Sequence, residues 1–507
     1  MIANLIIGLQ NICNPATLVV MLGGVTLGII FGAMPGLSAA MAVALCLPIS
    51  YGLEPIMGIA LLVSLYVGGV SGGLISAILL KIPGTPSSVA TTFDGGPLAE
   101  RGEAGKALGV GIFFSFIGTI MSVIALVLIS PYLAAFALKF GYFEYCAIAI
   151  FSLSLVASLV DGSLWKGLVS AVIGFTLTMV GVAPIDGYPR FTFGITALSG
   201  GFDILPALIG FFAVAEVFGA ANDSARPTPE GVLVDYKIKG LGFSRKEFFG
   251  QTGNMLRSGL IGIGVGILPG IGGGTSNLLA YATAKNQSKY PEKFGTGVID
   301  GIVASETANN ASIGGALIPL LSLGIPGDVV TAILLGGLTL HGLTPGPLLF
   351  QDHPDVVYSV FMALFISNFM MLFLEYFGMR LFVRVLQVPK NILLSCVMTL
   401  CVIGAFGVNN RAFDCITIFF FGLMGYAFSK VGIPSTPFIL GFVLGEMVET
   451  NLRRGMMMTM GDPTPLFTNP ICVVFLLLAV FSIARATMDR VKKTKARKAA
   501  EAAKNND

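Results

Sequence analysis

Long apolar runs follow one another along almost the whole chain, separated by short turns rich in Gly, Pro and polar residues. A helix needs about 20 apolar residues to cross a bilayer. Once the polar stretch 222–250 and the tail beyond 487 are set aside, the rest has room for about ten to thirteen membrane segments. We therefore predict one large, all-α polytopic membrane domain. The runs lie at 16–33, 55–80, 104–129, 143–160, 164–183, 204–220, 255–268, 271–284, 306–324, 328–340, 356–383, 391–408, 414–430, 434–449 and 469–487.

Composition agrees with this pattern. The 507 residues are 55% hydrophobic and only 11% charged, against about 25% charged in soluble domains. Seven Cys are scattered without a C-x-x-C pair, which favours small buried side chains over a disulfide framework or a metal. Met1–Ala33 lacks the basic start of a signal peptide, so we predict that it is the first membrane helix.

Two polar segments divide the chain. The stretch 222–250 contains two Pro and mixed charges, and we interpret it as a linker between halves at 1–221 and 251–484. The tail 485–507 follows the last apolar run and is strongly basic, which predicts a cytoplasmic C-terminus. Its Ala, Lys and Glu composition is compatible with an amphipathic helix on anionic lipid or with disorder.

Several apolar runs are too short to span and abut a Pro-Gly pair, at Pro35-Gly36, Pro83-Gly84, Pro269-Gly270 and Pro326-Gly327. Pro removes a backbone donor and Gly permits a turn, so a helix breaks there. Bare backbone is tolerated in lipid only where protein or a water-filled cavity replaces its partners. We therefore predict broken helices and re-entrant hairpins, with helices kinked against their neighbours as the alternative.

Three short blocks recur in the same order in the second half. Residues 24–38 match 259–273, residues 71–84 match 314–327, and Gly96-Pro97-Leu98 matches Gly346-Pro347-Leu348. The first match sets Gly28 on Gly262 and Gly32 on Gly266. We predict two related repeats, which we expect to be inverted, with extra helices after the second.

Paired interrupted segments in two halves point to a transport site. A half-helix N-terminus offers free N–H groups and a partial positive charge, which attract carboxylates without a buried Lys or Arg. The run 269–277 is the strongest anion-site candidate, with a flexible glycine loop as the alternative. The predicted substrate-binding residues are Pro35, Gly36, Leu37, Ser38, Gly84, Thr85, Ser87, Ser88, Gly270, Gly272, Gly273, Thr275, Ser276, Asn277, Pro326 and Gly327.

A second polar cluster lies ahead of the fourth break, and an ionisable residue inside a membrane segment is a candidate functional residue. Glu306, Asn309 and Asn310 have helical spacing, so one face offers a carboxylate and two amide oxygens to a hard ion such as Na⁺. Proton coupling through Glu306 is the rival, and a membrane-boundary segment facing water is the plain alternative. Acids such as Glu375 lie closer to segment ends, and the use of Asp94 stays open. The predicted coupling-ion residues are Ser305, Glu306, Thr307, Asn309 and Asn310.

The blocks 24–37, 81–88, 94–98, 306–311 and 324–328 are also where the chain resembles the large membrane subunit of the tripartite tricarboxylate transporters, over roughly 15–485. The resemblance implies a bacterial inner-membrane secondary carrier. It also implies two partners, a small four-helix membrane subunit and a periplasmic solute-binding protein, and uptake of citrate or a related carboxylate driven by Na⁺ or H⁺. Where relatives carry Asn or a similar residue before a Pro-Gly block, this chain has Lys81, which favours either anion attraction or snorkelling to the interface.

Other functional classes fit less well. Gly69-Val70-Ser71-Gly72 resembles the surroundings of an intramembrane protease serine, but that chemistry needs a His base, and His341 and His353 both lie near Pro- and Gly-rich turns. A passive channel is the closer rival, because broken helices also line pores. No Walker A motif occurs, so transport energy must come from gradients. We predict no catalytic residue, no cofactor and no nucleic-acid partner; rocking and elevator-like motion both stay open.

Overall fold

The computed structural model describes residues 1–159, 163–222, 238, 241–386 and 390–504, and these are overwhelmingly helical. The one small sheet among them pairs Gly181–Val182 with Pro189–Arg190, antiparallel. Short 3₁₀ turns at Pro86–Ser88, Thr196–Gly200 and Pro291–Lys293 and π turns at Ala99–Glu103 and Ile209–Val214 join some of the helices. In chain order the elements are α1 (Ile2–Ile12), α2 (Pro15–Ala33), α3 (Ala39–Tyr51), α4 (Pro55–Leu79), α5 (Val89–Leu98), α6 (Ala104–Ala137), α7 (Tyr142–Leu159), α8 (Leu164–Thr178), β1 (Gly181–Val182), β2 (Pro189–Arg190), α9 (Ile204–Leu208), α10 (Ala215–Asn222), α11 (Arg245–Ile267), α12 (Gly272–Gln287), α13 (Ile299–Leu323), α14 (Val329–Leu340), α15 (Leu349–Asp352), α16 (Pro354–Val385), α17 (Lys390–Asn409), α18 (Ala412–Val431), α19 (Ser435–Met458), α20 (Thr464–Thr468) and α21 (Pro470–Lys504).

The predicted class, an all-α polytopic membrane protein, is confirmed. In the described part of the chain, six helices are long and apolar enough to cross a membrane, and seven shorter helices of 10–17 residues are also apolar. The first 33 residues form two helices where we predicted one, because Asn14 caps the N-terminus of α2 and Pro15 occupies its first position. The six long segments are Pro15–Ala33, Pro55–Leu79, Pro86–Ala137, Pro354–Arg384, Ala412–Val431 and Pro470–Met488.

The chain leaves helical geometry at all four predicted Pro-Gly breaks. The first interruption separates α2 from α3, and the third separates α11 from α12. The second lies between α4 and the 3₁₀ turn at Pro86–Ser88. The fourth follows α13, whose last residue, Leu323, precedes Gly324 in the left-handed conformation. The helix breaks are confirmed, and the crossing or re-entry of each piece stays a prediction.

Two helix pairs, α2 with α4 and α11 with α13, pack at backbone contact. A Cβ built on Gly32 would collide with the Gly69 carbonyl oxygen, and one built on Gly266 would lie 2.6 Å from the Ser312 carbonyl oxygen. Glycine permits this approach, as in the small-residue contacts of membrane helices. The glycines thus set the spacing of both pairs.

The alignment of the two halves also relates these contacts. Gly32 and Gly266 are matched positions, and so are Gly84 and Gly327. Gly84 packs on the carbonyl oxygen of Gly32, and a Cβ on Gly327 would lie 2.6 Å from that of Gly266. Matched positions therefore make matched contacts, as a duplicated scaffold would. The duplication, its inversion and its boundaries stay predictions.

We expect Gly32→Ala to lower the free energy of unfolding by about 1–3 kcal/mol, because the added methyl meets a backbone oxygen that has no rotamer to retreat into. The control is Gly23→Ala on the same helix, where no atom lies within 4 Å of the added Cβ; there Ala should be neutral or stabilise by up to about 1 kcal/mol. Thermal unfolding in detergent measures both, and equal midpoints would contradict the packing argument.

The described chain folds into two compact units. The first comprises Met1–Leu138 and Asp203–Ala427, and the second Lys139–Phe202 and Phe428–Asp507. Each unit takes segments from both predicted halves. The division into halves concerns sequence duplication and stays a prediction.

The second unit holds its β hairpin by ion pairs. Arg190 of β2 donates to both carboxylate oxygens of Glu449 in α19. Arg453, one turn further along α19, donates to Asp186 in the hairpin loop at 2.9 Å, and this hydrogen bond lowers the pKa of the Asp186 carboxyl. The hairpin is therefore fixed to α19 at two points.

The predicted linker and tail are only partly described. Residues 223–237 and 239–240 of the linker lie outside the described residues, and α11 already begins at Arg245. The tail is helical as far as Lys504, where α21 ends, and 505–507 lie outside the described residues. The helical alternative for the tail is thus the observed one, and its cytoplasmic location stays a prediction.

Candidate functional site

The first turn of α12 is a helix start that no side chain caps. Its residues are Gly272, Gly273 and Gly274, which we call the glycine cradle, and Gly272 has φ +63, a conformation that glycine adopts without strain. By contrast, Ser38 caps α3 and Asp328 caps α14 with their side chains. Free N–H groups at a helix start attract anions. The strongest anion-site candidate of the sequence therefore has the expected backbone geometry.

Polar groups from both halves of the chain surround Gly273. A Cβ built there would lie 2.6 Å from Asn309 Oδ1, 3.1 Å from Ser87 Cβ and 3.2 Å from Ser312 Oγ. The hydroxyls of Thr85 and Ser87 are 3.0 Å apart. The structure thus brings the segment after the second break, the glycine cradle and α13 to one place.

The three residues after the cradle point in different directions. Ser276 Oγ donates back to the carbonyl of Gly273 at 2.9 Å. Asn277 Oδ1 accepts the N–H of Ala90 at 2.8 Å, while its Nδ2 donates to the Ser305 carbonyl at 3.4 Å. Ser276 and Asn277 hold helices together, since Ser276 Oγ also lies 3.3 Å from the Ala308 carbonyl oxygen in α13. Thr275 is exposed.

The first break connects to the cradle indirectly. Pro35, Gly36, Leu37 and Ser38 form the turn between α2 and α3, where Gly36 is exposed with φ +91. The end of α2 meets the second break, since Gly84 packs on the Gly32 carbonyl. Ser88 closes a capping box with Thr85, so its hydroxyl orders the turn.

The fourth break lies beside the third. The N–H of Gly270 donates to the carbonyl of Gly327 at 2.7 Å, and Pro326 and Gly327 are buried. Asp328 follows, with its Cβ 3.0 Å from a Cβ built on Gly272. Its carboxylate accepts the Tyr66 hydroxyl and, at 2.7 Å, the N–H of Thr331. Asp328 therefore orders the start of α14 next to the cradle.

Glu306 is fully buried in α13, and its hydrogen-bond partners among the described residues are neutral groups. Thr91 donates to Oε1, while Ser115 and Asn310 donate to Oε2 at 2.9 and 3.3 Å. Ser305 lies 3.1 Å from the Thr91 hydroxyl. None of the six ion pairs found among the described residues includes Glu306. An ionised carboxylate buried without a cation is costly, so this position favours a bound cation or a proton.

Three oxygens beside Glu306 are also buried: Thr307 Oγ1, Asn309 Oδ1 and Asn310 Oδ1 have no hydrogen-bond partner within the described chain. Buried polar atoms are normally paired, and oxygen atoms are the ligands that hard cations prefer. Asn309 and Asn310 follow Glu306 by three and four residues, so both lie on its face of the helix, and Asn309 Oδ1 is also 2.6 Å from a Cβ built on Gly273. Asn309 therefore lies between the two predicted sites.

Asp94 accepts four hydrogen bonds. Its Oδ1 accepts the N–H groups of Gly295, Gly297 and Val298 at 2.8–3.0 Å, and its Oδ2 accepts the Tyr281 hydroxyl at 2.9 Å. Both oxygens are thus used to hold α5 to the turn before α13 and to α12. We interpret Asp94 as a structural anchor.

We expect Asp94→Ala to cost about 3 kcal/mol or more of stability, because four donors lose a charged acceptor that is fully buried. Asp94→Asn should cost less, since its amide keeps the shape and one oxygen. Thermal unfolding in detergent separates the two, with Glu103→Ala at an exposed turn as the control. A stable Asp94→Ala protein that fails only in uptake would contradict the structural role.

Lys81 forms an ion pair with Glu100, and both side chains are more than 40% exposed. Exposed pairs contribute little to stability. The pairing favours the boundary interpretation of Lys81 over direct attraction of an anion.

Sequence reasoning missed Glu375. It was placed near a segment end, but α16 continues to Val385 and Glu375 is fully buried within it. The sequence does indicate that Glu375 is inside a membrane segment, since the apolar run continues beyond it to position 383. Ser71 donates to Glu375 Oε2 at 3.0 Å and lies 3.3 Å from Met371 Sδ. In the described structure, Ser71 thus contacts a carboxyl and a thioether, whereas a serine protease needs a histidine base.

Comparisons with known proteins show the family of the chain. A family model described as the tripartite tricarboxylate transporter TctA family matches residues 18–440. The chain is 34% identical over 492 residues, covering 97% of both chains, to an Agrobacterium vitis protein described as an uncharacterized 52.8 kDa protein in the TAR-I ttuC' 3' region. An uncharacterized protein in the TAR-II ttuC' 3' region of the same organism is 36% identical over 228 residues, 45% of this chain and 94% of that protein. The chain is a multi-pass membrane protein and belongs to the tripartite tricarboxylate transporter TctA family.

Proposed function

We propose that the chain is the large membrane subunit of a carrier that takes up a small organic anion, a tricarboxylate such as citrate or a dicarboxylate, across the bacterial inner membrane. The observation that carries the proposal is the uncapped glycine cradle facing Ser87 and Asn309. Its N–H groups bind a substrate carboxylate, and the two side chains supply further polar contacts. Glycine lets the ligand approach the backbone closely.

The cradle suits a transported anion because its positive character comes from helix ends. A helix start carries about half a positive charge. A buried Lys or Arg would be costly in the membrane and would hold a carboxylate tightly. Backbone amides balance capture against release.

The coupling ion binds next to the substrate. We infer Na⁺ at Glu306, where Thr91, Ser115 and Asn310 add oxygens to the carboxylate and Asn309 reaches toward the cradle. Oxygen ligands of this number and kind suit a hard cation. Occupancy of the ion site thereby favours occupancy of the substrate site through Asn309, which is the coupling a symporter requires.

The family implies that the carrier acts with a small four-helix membrane subunit and a periplasmic solute-binding protein. Ion gradients drive uptake, since the sequence contains no nucleotide-binding motif. Transport occurs by alternating access. We place the basic C-terminal tail in the cytoplasm.

Uptake into proteoliposomes tests the proposal. The full chain is reconstituted with the small subunit, labelled citrate or a labelled dicarboxylate is presented with the binding protein, and sodium and proton gradients are imposed separately. We expect saturable uptake that needs the binding protein and the sodium gradient. Flux without saturation or ion dependence would indicate a channel, and uptake driven by the proton gradient alone would overturn Na⁺ at Glu306.

A further inference from the structure

A second buried carboxylate lies outside the proposed substrate and sodium sites. Glu375 of α16 is fully buried. Its Oε2 accepts the hydroxyl of Ser71 in α4 at 3.0 Å. Its Oε1 has no hydrogen-bond partner in the described chain. One carboxyl oxygen is therefore hydrogen-bonded, and the other is buried without a partner in the described chain.

Among the described residues, no positive charge compensates Glu375; Arg380 and Arg384, further along the same helix, are exposed. Glu375 belongs to none of the six ion pairs of the described chain, and the charged group that acts on it is the carboxylate Glu306, which is repulsive. Tyr376, the next residue, donates its hydroxyl to the Gly109 carbonyl at 3.0 Å. Two uncompensated carboxylates in one apolar region are more costly than one.

The helices packed on α16 offer no hidden cation to Glu375. α1 and α2 contain no titratable side chain within their bounds. In α4 the titratable residue is Tyr66, which binds Asp328. In α6, Lys106 pairs with Glu247 at 2.6 Å and Tyr132 is exposed. The short helix α15, which carries Asp352, lies before the opposite end of α16.

The neighbours of Glu375 distinguish a proton from a metal ion. In the described chain, Glu375 accepts a hydrogen bond from Ser71, and that hydroxyl lies 3.3 Å from the thioether of Met371. A hard cation needs several oxygen ligands, and a thioether is a soft ligand that does not suit one. Glu306 has that oxygen set and Glu375 does not.

We propose that Glu375 is a proton-binding site, occupied as the neutral acid in this conformation and separate from the sodium site at Glu306. The proton binds at Oε1 and comes from water when the contact between α4 and α16 opens; it returns to water in the same way. Proton occupancy is independent of the transported substrate, whereas its use in coupling rests on the proposed carrier function.

Infrared spectroscopy of the full chain in liposomes tests the site directly. At about pH 7, where an ordinary Glu is ionised, we expect the carbonyl stretch of a protonated carboxyl in the wild type and its loss in Glu375→Gln. Glu306→Gln should keep that band. Ser71→Ala keeps the acid but removes its hydrogen-bond donor, so it should shift the frequency. A wild type without the band, or a band that persists in Glu375→Gln, would overturn the proposal.

Transport gives the second readout. In proteoliposomes with labelled citrate, Glu375→Gln should remove stimulation by an inward proton gradient and keep sodium dependence. Unchanged stimulation would refute the coupling role. A wild-type chain that shows the infrared band but takes up no citrate would count against the proposed substrate and leave the proton site standing.

Discussion

Gly273→Ala should reduce uptake of the labelled carboxylate by about 100-fold or more. The added Cβ would lie 2.6 Å from Asn309 Oδ1 and 3.1 Å from Ser87 Cβ, so it occupies the space between the cradle and the side chains that face it. Displacement of a binding group by about 1 Å is enough for an effect of this size. Initial rates in proteoliposomes over a range of substrate concentrations measure it, and binding of the labelled substrate to the purified chain separates lost affinity from lost movement.

Gly264→Ala is the matched control. Gly264 lies on the preceding helix α11, and no atom is within 4 Å of its added Cβ. The same chemical change should there leave uptake unaffected. Thermal unfolding in detergent checks that Gly273→Ala still folds. A folded Gly273→Ala protein that binds and transports like the wild type would remove the cradle from the substrate site.

The double change Glu306→Ala, Asn309→Ala should abolish sodium-stimulated uptake, with a loss of about 100-fold. It removes the carboxylate and the amide oxygen that link the ion to the cradle, and a charged contact of this kind is worth about 3 kcal/mol. Glu306→Ala alone should raise the sodium concentration for half-maximal uptake, because Thr91 and Ser115 still offer oxygens there.

Sodium dependence of initial uptake rates is the measurement. Glu292→Gln, which removes a carboxylate from an exposed turn of the same half, is the control and should behave as the wild type. Wild-type rates and sodium dependence in the double variant would refute the ion assignment. If the residual uptake of the double variant has lost stimulation by sodium but keeps stimulation by a proton gradient, Glu306 and Glu375 serve different ions.

Sequence chemistry predicted the helix breaks because they are local events. Pro removes a hydrogen bond and Gly relieves the turn wherever the rest of the chain lies, so the interruptions after α2 and α11 follow from Pro35-Gly36 and Pro269-Gly270 alone. The open start of α12 was predictable for the same reason, since Gly273 and its glycine neighbours have no side chain to cap it.

Side-chain direction was not predictable from the residue types. Thr275, Ser276 and Asn277 were equal candidates in sequence, yet consecutive helix positions face three directions. Only Asn277 reaches α5, because the fold places Ala90 there. The partners of Glu306 were hidden for a related reason. Thr91 and Ser115 belong to helices far away in sequence, so their approach depends on tertiary packing.

Asn277 also constrains how the protein moves. Its side-chain amide joins α12 to the N–H of Ala90 in the first turn of α5 and to the Ser305 carbonyl in α13. A gap between α5 and α12 would strand a buried donor and a buried acceptor together, at a cost of several kcal/mol. If the chain is the carrier we propose, we therefore expect these three helices to move as one rigid block, so that the cradle keeps its shape during transport.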